Sequence, residues 1–232
     1  MPESQRTIMV VAPHPDDAEF GVAGSVANWV NKGDEVFYVV CTNGDKGSSD
    51  PEMTSERLAR IREEEQIVAA ELLGVKEVVF LRYPDGYLEY SSELRGELVR
   101  LIRKYRPELV VTADLYRKYI WHPDHRVTGR VVLDAVFPFA RDRLSYPEHL
   151  KEGLQPHKVM EIYLWGSEDP DVFLDITDTF ETKFAALMCH KSQVGGHFEG
   201  RAREFVTMRA KDFGQKIGVP FAEAFHRVEI PY

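Results

Sequence analysis

Short apolar runs alternate with longer amphipathic segments through the first two-thirds of the chain. The run TIMVVA at 7–12 is apolar at successive positions, which is typical of a strand covered on both faces. Similar runs predict strands at 35–42, 77–81 and 108–112. Apolar residues at helical spacing predict helices at 18–32, 54–73, 91–104 and 123–137. This order of elements predicts an α/β fold with a mostly parallel sheet and helices on both faces.

The last third of the chain is less regular. We expect strands at 158–165 and 172–176 and helices at 180–191 and 201–216. No linker composition separates this part from the rest. The sequence therefore predicts one domain over 1–232, with a Rossmann-like core at 1–140 and a C-terminal completion at 141–232.

Composition and charge limit the classes of function that the protein can have. Lys and Arg number 29 against 38 Asp and Glu, a net charge of −9, so general binding to phosphate backbones is disfavoured. No apolar run is long enough for a signal peptide or a membrane span. We expect a soluble, cytoplasmic protein without nucleic-acid partners.

Two motifs bring imidazoles and carboxylates to the ends of predicted strands. His14-Pro15-Asp16-Asp17 directly follows the first strand, and His122-Pro123-Asp124-His125 shortly follows the fourth. In doubly wound sheets the strand order reverses between these two strands, and a ligand crevice opens there. The two motifs are therefore expected to meet at one site.

The residue types in these motifs are those of a metal site. Catalytic zinc is typically held by three imidazole or carboxylate ligands and a water. His14 and Asp17 could bind one metal from a single loop. His122 and His125 face the same side of a helix start, so one can bind metal while the other contacts substrate. Asp16 is then a spare carboxylate, as a hydrolase needs for its general base.

The same motifs have two other interpretations. Each HPD tripeptide could be a helix-start device, because Asp caps free N–H groups and Pro suits the first turn. Because both motifs occur at facing strand ends, the helix-start interpretation is less favoured than a shared site. A phosphate-binding loop is disfavoured because the turn after the first strand lacks G-x-G-x-x-G.

The sequence resembles the LmbE-like, or PIG-L, family of zinc-dependent N-deacetylases. The segments that carry the resemblance are PHPDDAEFGVAG (13–24), CTNGDKG (41–47), IREEE (61–65), LLGV (72–75), PDG (84–86), HPDH (122–125), HKSQ (190–193) and AEAF (222–225). The resemblance implies a Rossmann-type fold that removes acetyl groups from molecules containing N-acetylglucosamine. It also makes a homo-oligomer, a trimer or hexamer, plausible.

The resemblance also implies roles for individual residues. Those roles are zinc ligands for His14, Asp17 and His125, general base for Asp16, oxyanion stabilisation for His122, substrate contact for Arg62, and orientation of a catalytic histidine for Asp124. Iron or cobalt would accept the same ligands. Some members carry a tyrosine two residues before HPDH, where this chain has Ile120 beside Tyr119. A role for Tyr119 stays open, and His190 is as well suited to a helix cap as to substrate contact.

The expected function is metal-dependent hydrolysis of an N-acetyl group on a small amino-sugar molecule. The alternatives are an amidase for another N-acyl or thiol-conjugate amide, and a metal-binding protein without catalysis. Asp16 argues against the last, because a pure binding site needs no spare carboxylate. Loops 43–53, 82–90 and 113–121 are expected to select the substrate. His197 and His226 are predicted to be ordinary histidines.

Overall fold

The sheet contains seven strands in one layer. The computed structural model describes residues 5–196 and 199–231, so the prediction for His197 lies outside the described residues. The strands are β1 (Thr7–Ala12), β2 (Glu35–Thr42), β3 (Glu77–Tyr83), β4 (Leu109–Ala113), β5 (Glu161–Trp165), β6 (Val172–Asp175) and β7 (Ala222–Glu229). Their order is β3-β2-β1-β4-β5-β7-β6. Strands β1 to β5 run parallel, and β7 runs antiparallel to its neighbours β5 and β6.

Helices cover both faces of this sheet. They are α1 (Asp17–Gly21), α2 (Ala23–Asn31), α3 (Ser55–Leu73), α4 (Ser92–Tyr105), α5 (Pro123–Asp134), α6 (Pro147–Lys151), α7 (Phe180–Leu187), α8 (Lys191–Val194) and α9 (Glu199–Ile217). The predicted single α/β domain with a mostly parallel sheet is confirmed. No helix within the described ranges is both long and apolar enough to cross a bilayer.

Strand β1 lies at the centre of the core. Its successive side chains point to opposite faces, so Val10 packs in one apolar cluster with Val26 of α2. Val11 packs in the other cluster with Leu98 of α4. Burial on both faces explains why the strand is apolar at successive positions. The strand order reverses between β2-β1 and β4, as predicted, and leaves the crevice at their carboxyl ends.

The structure differs from the predicted elements in the first helix. The helix predicted at 18–32 is broken at Val22, whose φ and ψ are −143° and 0°. Gly21 lies so close to Trp165 that a Cβ at this position would be 2.7 Å from the indole. This long-range packing leaves no trace in helical periodicity. The break makes α1 a separate short helix that begins at Asp17.

The C-terminal part contains a strand that the sequence did not predict. Strand β7 has the sequence AEAFHRVE, in which charged residues interrupt the apolar pattern. Its Glu223 is buried, and the two carboxylate oxygens accept hydrogen bonds from the backbone N–H groups of Gly24 and Ser25 at 3.0 and 2.8 Å. Glu223 also pairs with Lys183 at 2.6 Å. A charged residue is unfavourable in a buried strand unless it has polar partners. These hydrogen bonds and the ion pair provide them for the carboxylate of Glu223.

The helix predicted at 180–191 ends as α7 at Leu187, and the short helix α8 follows. His190 lies between the two without capping either by its side chain. It is fully buried. The imidazole therefore has another function than the cap considered from the sequence.

Candidate metal and active site

The two histidine motifs meet at the crevice. His14 follows β1, and His122 precedes the first residue of α5. The ring centroids of His14 and His122 are 4.6 Å apart, and those of His14 and His125 are 5.3 Å apart. Residues more than a hundred positions apart thus form one cluster, as the strand order requires.

The three side chains predicted as metal ligands converge on one point. Asp17 Oδ2 lies 2.9 Å from His14 Nδ1 and 3.1 Å from His125 Nε2. These donor atoms all lie within 4.8 Å of one another. Two imidazole nitrogens and a carboxylate oxygen are a donor set that zinc or iron accepts. His14 and His125 are buried and Asp17 nearly so.

The second ring nitrogen of His14, Nε2, also has carboxylate partners. His14 Nε2 lies 3.0 Å from Asp124 Oδ2 and 3.1 Å from Asp85 Oδ1. A carboxylate on the far nitrogen of a metal-binding histidine fixes its orientation and tautomer. His122 Nδ1 lies 3.9 Å from the same Asp124 oxygen. Asp124 therefore orients His14 more directly than His122.

Asp124 is itself fixed by the loop after β3. It accepts hydrogen bonds from the backbone N–H of Gly86 at 2.7 Å and of Leu88 at 3.3 Å. The carboxylate is fully buried. The segment PDG, interpreted first as a turn, thus supplies both Asp85 and a donor to Asp124. Sequence reasoning ranks Asp85 as a site candidate only second to a turn, because a PDG segment is first a turn signal.

The charges of the cluster fit a bound cation. Burial disfavours a charged His14, yet hydrogen bonds with Asp124, Asp17 and Asp85 raise the pKa of this imidazole to about 12. Burial alone would raise the pKa of Asp17, but His125 and His14 hold it well below its ordinary value. Carboxylates thus outnumber positive charges around His14, and a divalent cation would replace the proton as counter-charge.

A second group of possible donors shares His14. It consists of His14, Asp85, His122 and Asp124, whose donor atoms also lie within 4.8 Å of one another. Asp124 already accepts two backbone hydrogen bonds and contacts His14. In the other group, Asp17 Oδ2 lies within 3.1 Å of a ring nitrogen of both His14 and His125.

Asp16 lies beside the cluster but in neither donor group. Its φ of 93° places a non-glycine residue in the left-handed region. Its carboxylate Oδ2 lies 3.4 Å from Arg62 Nη2. Burial raises the pKa of Asp16 to about 6, although the positive charge of Arg62 opposes the shift.

Arg62 is buried, with 4% of its surface exposed. Its guanidinium donates hydrogen bonds to the carbonyl oxygens of Pro15 at 2.6 Å, Gly44 at 3.1 Å and Lys46 at 3.3 Å. The side chain thus joins the loop after β1 to the loop after β2. Its predicted contact with substrate stays a prediction.

A buried polar network that sequence reasoning missed is hydrogen bonded to the backbone of Asp16. The backbone N–H of Asp16 donates to Gln66 Oε1 at 3.0 Å. Gln66 Nε2 donates to Glu19 Oε1 at 3.0 Å, and Glu19 Oε2 lies 3.0 Å from His190 Nε2. All three supporting side chains are fully buried. Glu19 and His190 lie in segments that carried the resemblance, but their pairing across 171 positions gives no local signal.

The open side of the crevice carries His122. Its side chain is 42% exposed, in contrast to His14 and His125. The backbone N–H of Asp124 donates to His122 Nδ1 at 3.3 Å, which leaves the proton of a neutral ring on Nε2. Burial and the positive charge of His14 lower the pKa of His122. Tyr119 is 91% exposed, and its role stays open.

The fold and this cluster define a Rossmann-like α/β enzyme with its polar site between β1 and β4. A family model described as PIG-L, GlcNAc-PI de-N-acetylase, matches residues 9–136, which is more than half of the chain. The chain belongs to the PIG-L family and is an amide hydrolase of that family.

Individual relatives agree with this assignment. The diacetylchitobiose deacetylase of Thermococcus kodakarensis is 33% identical over 223 residues, covering 96% of this chain and 83% of its own. A probable N-acetyl-alpha-D-glucosaminyl L-malate deacetylase 2 of Bacillus anthracis is 29% identical, with 88% of each chain covered. The structure of N,N'-diacetylchitobiose deacetylase from Pyrococcus horikoshii superposes with a TM-score of 0.93 at 34% identity, covering 98% of this chain and 85% of that one.

Proposed function

We propose that the protein is a zinc-dependent hydrolase that removes the N-acetyl group from a small molecule containing N-acetylglucosamine. The observation that carries the proposal is Asp16, a half-buried carboxyl group that lies beside the His14–Asp17–His125 group without belonging to it. A site that only bound metal would not need this group. The names of the relatives support the amino-sugar substrate class.

His14 Nδ1, His125 Nε2 and the Asp17 carboxylate would hold the metal. A divalent metal bound there supplies a Lewis acid for the amide carbonyl and lowers the pKa of a water. Fe²⁺ is the alternative occupant, since the donors do not exclude it. Asp124 and Asp85 keep His14 in the orientation that directs Nδ1 towards Asp17.

Asp16 is the general base in this proposal. It takes a proton from the attacking water and returns it to the leaving amine. A pKa near the operating pH favours both transfers, and burial raises the pKa of Asp16 to about 6. Arg62 and Gln66 hold the side chain and backbone of Asp16 in place.

His122 stabilises the developing oxyanion. Its exposed ring faces the open crevice, and its neutral form carries a proton on Nε2 that can be donated to the oxygen. Trp121 packs against His125 with ring centroids 4.4 Å apart and forms part of the wall of the site. Substrate choice would fall to the loops around this wall. The homo-oligomer and the division of the chain at residue 140 stay predictions.

The experiment is acetate release from free N-acetylglucosamine, diacetylchitobiose, a malate glycoside and an inositol glycoside. Each is assayed with protein as purified, after chelation, and after zinc restoration. Asp16→Asn is the matched control, because it removes the base while leaving the three donors. Release that disappears on chelation and returns with zinc supports the proposal. No release from any substrate by protein with one equivalent of zinc would refute it.

A further inference from the structure

A cavity lies beside the His14–Asp17–His125 group. Its volume is about 190 Å³, and both Asp17 and His125 line it. Residues of helix α9 and strand β7 also line it. Aromatic rings supply much of its wall, among them Trp121, Trp165 and Phe213. A ligand group in this cavity would therefore be close to a reacting group held at the metal site.

Two arginines line this cavity. Arg117 comes from the loop before α5, and Arg209 comes from α9. Within residues 5–196 and 199–231, no carboxylate lies at ion-pair distance from either guanidinium. The other cation of the lining, Lys183, is paired with Glu223 at 2.6 Å. The cavity is thus lined by two guanidinium groups that form no ion pair within the described residues, in a chain with a net charge of −9.

Aromatic rings support both guanidinium groups. Arg117 Cζ lies 4.4 Å from the ring centroid of Trp121. Arg209 Cζ lies 5.7 Å from the centroid of Phe205 and 5.3 Å from that of Phe213. A guanidinium held against an aromatic ring retains N–H donors in its plane. These donors are suited to a planar carboxylate or a phosphate.

The positive charge of Arg117 acts on the guanidinium of Arg209. Burial lowers the pKa of Arg209 and the positive charge of Arg117 lowers it further, whereas the carboxylate of Asp212 opposes the shift. Two like charges at a half-buried, largely aromatic cavity are unfavourable until an anion compensates them. The arrangement is typical of a prepared anion site.

We propose that this cavity binds a carboxylate or phosphate group carried by the substrate, with Arg117 and Arg209 as its ligands. The acetamido group would lie at the His14–Asp17–His125 group at the same time. This inference rests on the proposed function and narrows its substrate to an anionic acetamido sugar. Asp17 and His125 line both sites, so one small substrate can reach both.

The test compares matched anionic and neutral substrates. N-acetylglucosamine 1-phosphate and 6-phosphate, and the carboxymethyl glycoside, are assayed against free N-acetylglucosamine and the hydroxyethyl glycoside. We expect kcat/KM at least tenfold higher for one anionic substrate. Arg117→Gln and Arg209→Gln should each raise its KM about tenfold, the loss expected for a charge-assisted hydrogen bond. Their rates on neutral sugars should stay within twofold, which also shows that they fold.

Arg201→Gln is the matched control, because Arg201 is exposed on the same helix. It should leave all substrates unaffected. Equal use of anionic and neutral sugars by the unaltered protein would overturn the anion site while leaving the deacetylase proposal intact. Variants that alter only inhibition by free acetate would assign the cavity to the product and overturn the proposal. A changed sedimentation coefficient would show that the arginines contact another copy of the chain, which would also overturn it.

Calorimetry separates this inference from the proposed function. Binding of N-acetylglucosamine 6-phosphate and 1-phosphate to the metal-loaded protein is measured without turnover. If no substrate is hydrolysed, the deacetylase proposal fails, but binding that both Gln variants weaken would still support the anion site. Absence of binding, or binding that the variants leave unchanged, would overturn it.

Discussion

Gln66 connects helix α3 to the backbone of the proposed general base. It accepts the Asp16 N–H at 3.0 Å and donates to Glu19 at 3.0 Å. The substitution Gln66→Ala would leave a buried N–H and a buried carboxylate oxygen without these partners. It would also release Asp16 from the support that keeps its φ at 93°. We expect the loop after β1 to relax away from this conformation.

The size of the effect follows from the two lost bonds. A buried polar group without a partner costs about 1–3 kcal/mol. With two such groups, the free energy of unfolding should fall by about 3 kcal/mol or more. At about 2–4 °C per kcal/mol for a chain of this size, Tm should fall by about 6–12 °C. Displacement of Asp16 by about 1 Å should lower kcat by about 10²-fold.

The assay is acetate release well below the lowered Tm, together with metal content. Glu64→Ala is the matched control, because Glu64 is exposed on the same helix. Positioning of Asp16 predicts a large loss in kcat, a small change in KM and unchanged metal. If kcat of Gln66→Ala stayed within threefold while Tm fell, Gln66 would be only structural. Loss of metal would show that the substitution disturbs the donor group instead.

The remaining predictions concern the proposed catalytic residues, one proposed metal ligand and one buried ion pair. Asp16→Asn should lower kcat about 10²-fold or more with metal content unchanged; loss of metal from this variant would make Asp16 a ligand. His125→Ala should lose the metal, as measured by elemental analysis, and full occupancy would contradict the ligand set. His122→Ala should lower kcat with little effect on metal, whereas an unchanged rate would exclude His122 from the mechanism. Lys183→Met leaves the buried Glu223 without its cation, and urea unfolding should show a loss of about 3–5 kcal/mol; an unchanged midpoint would mean that backbone N–H groups alone stabilise Glu223.

The sheet and the meeting of the two motifs could be predicted from local patterns. Strand β1 is apolar at successive positions because it is buried on both faces. The strand order then brings His14 and His125 together, although they are far apart in the chain. This inference needs only the apolar period and the rule for doubly wound sheets.

The contacts of the supporting residues could not be predicted from local spacing, because their partners are distant in the chain, and only the family resemblance singled out Arg62. Arg62 follows Arg57 and Arg60 in one helix. Their spacing does not show which of the three arginines is buried at the site. The fold buries Arg62 against the loop carbonyl oxygens and leaves the other two exposed. Strand β7 was missed for the same reason, since buried Glu223 depends on backbone donors 198 and 199 positions away.

The position of the metal tests the central claim most directly. A crystal of zinc-loaded protein, measured on both sides of the zinc absorption edge, would give one anomalous peak. We predict that this peak lies about 2.0–2.2 Å from His14 Nδ1, His125 Nε2 and an Asp17 oxygen. His14 Nε2 should stay hydrogen bonded to Asp124, and Asp16 should remain outside bonding distance. A peak bound by Asp85, His122 and Asp124, or no peak in protein that releases acetate at full rate, would contradict the account.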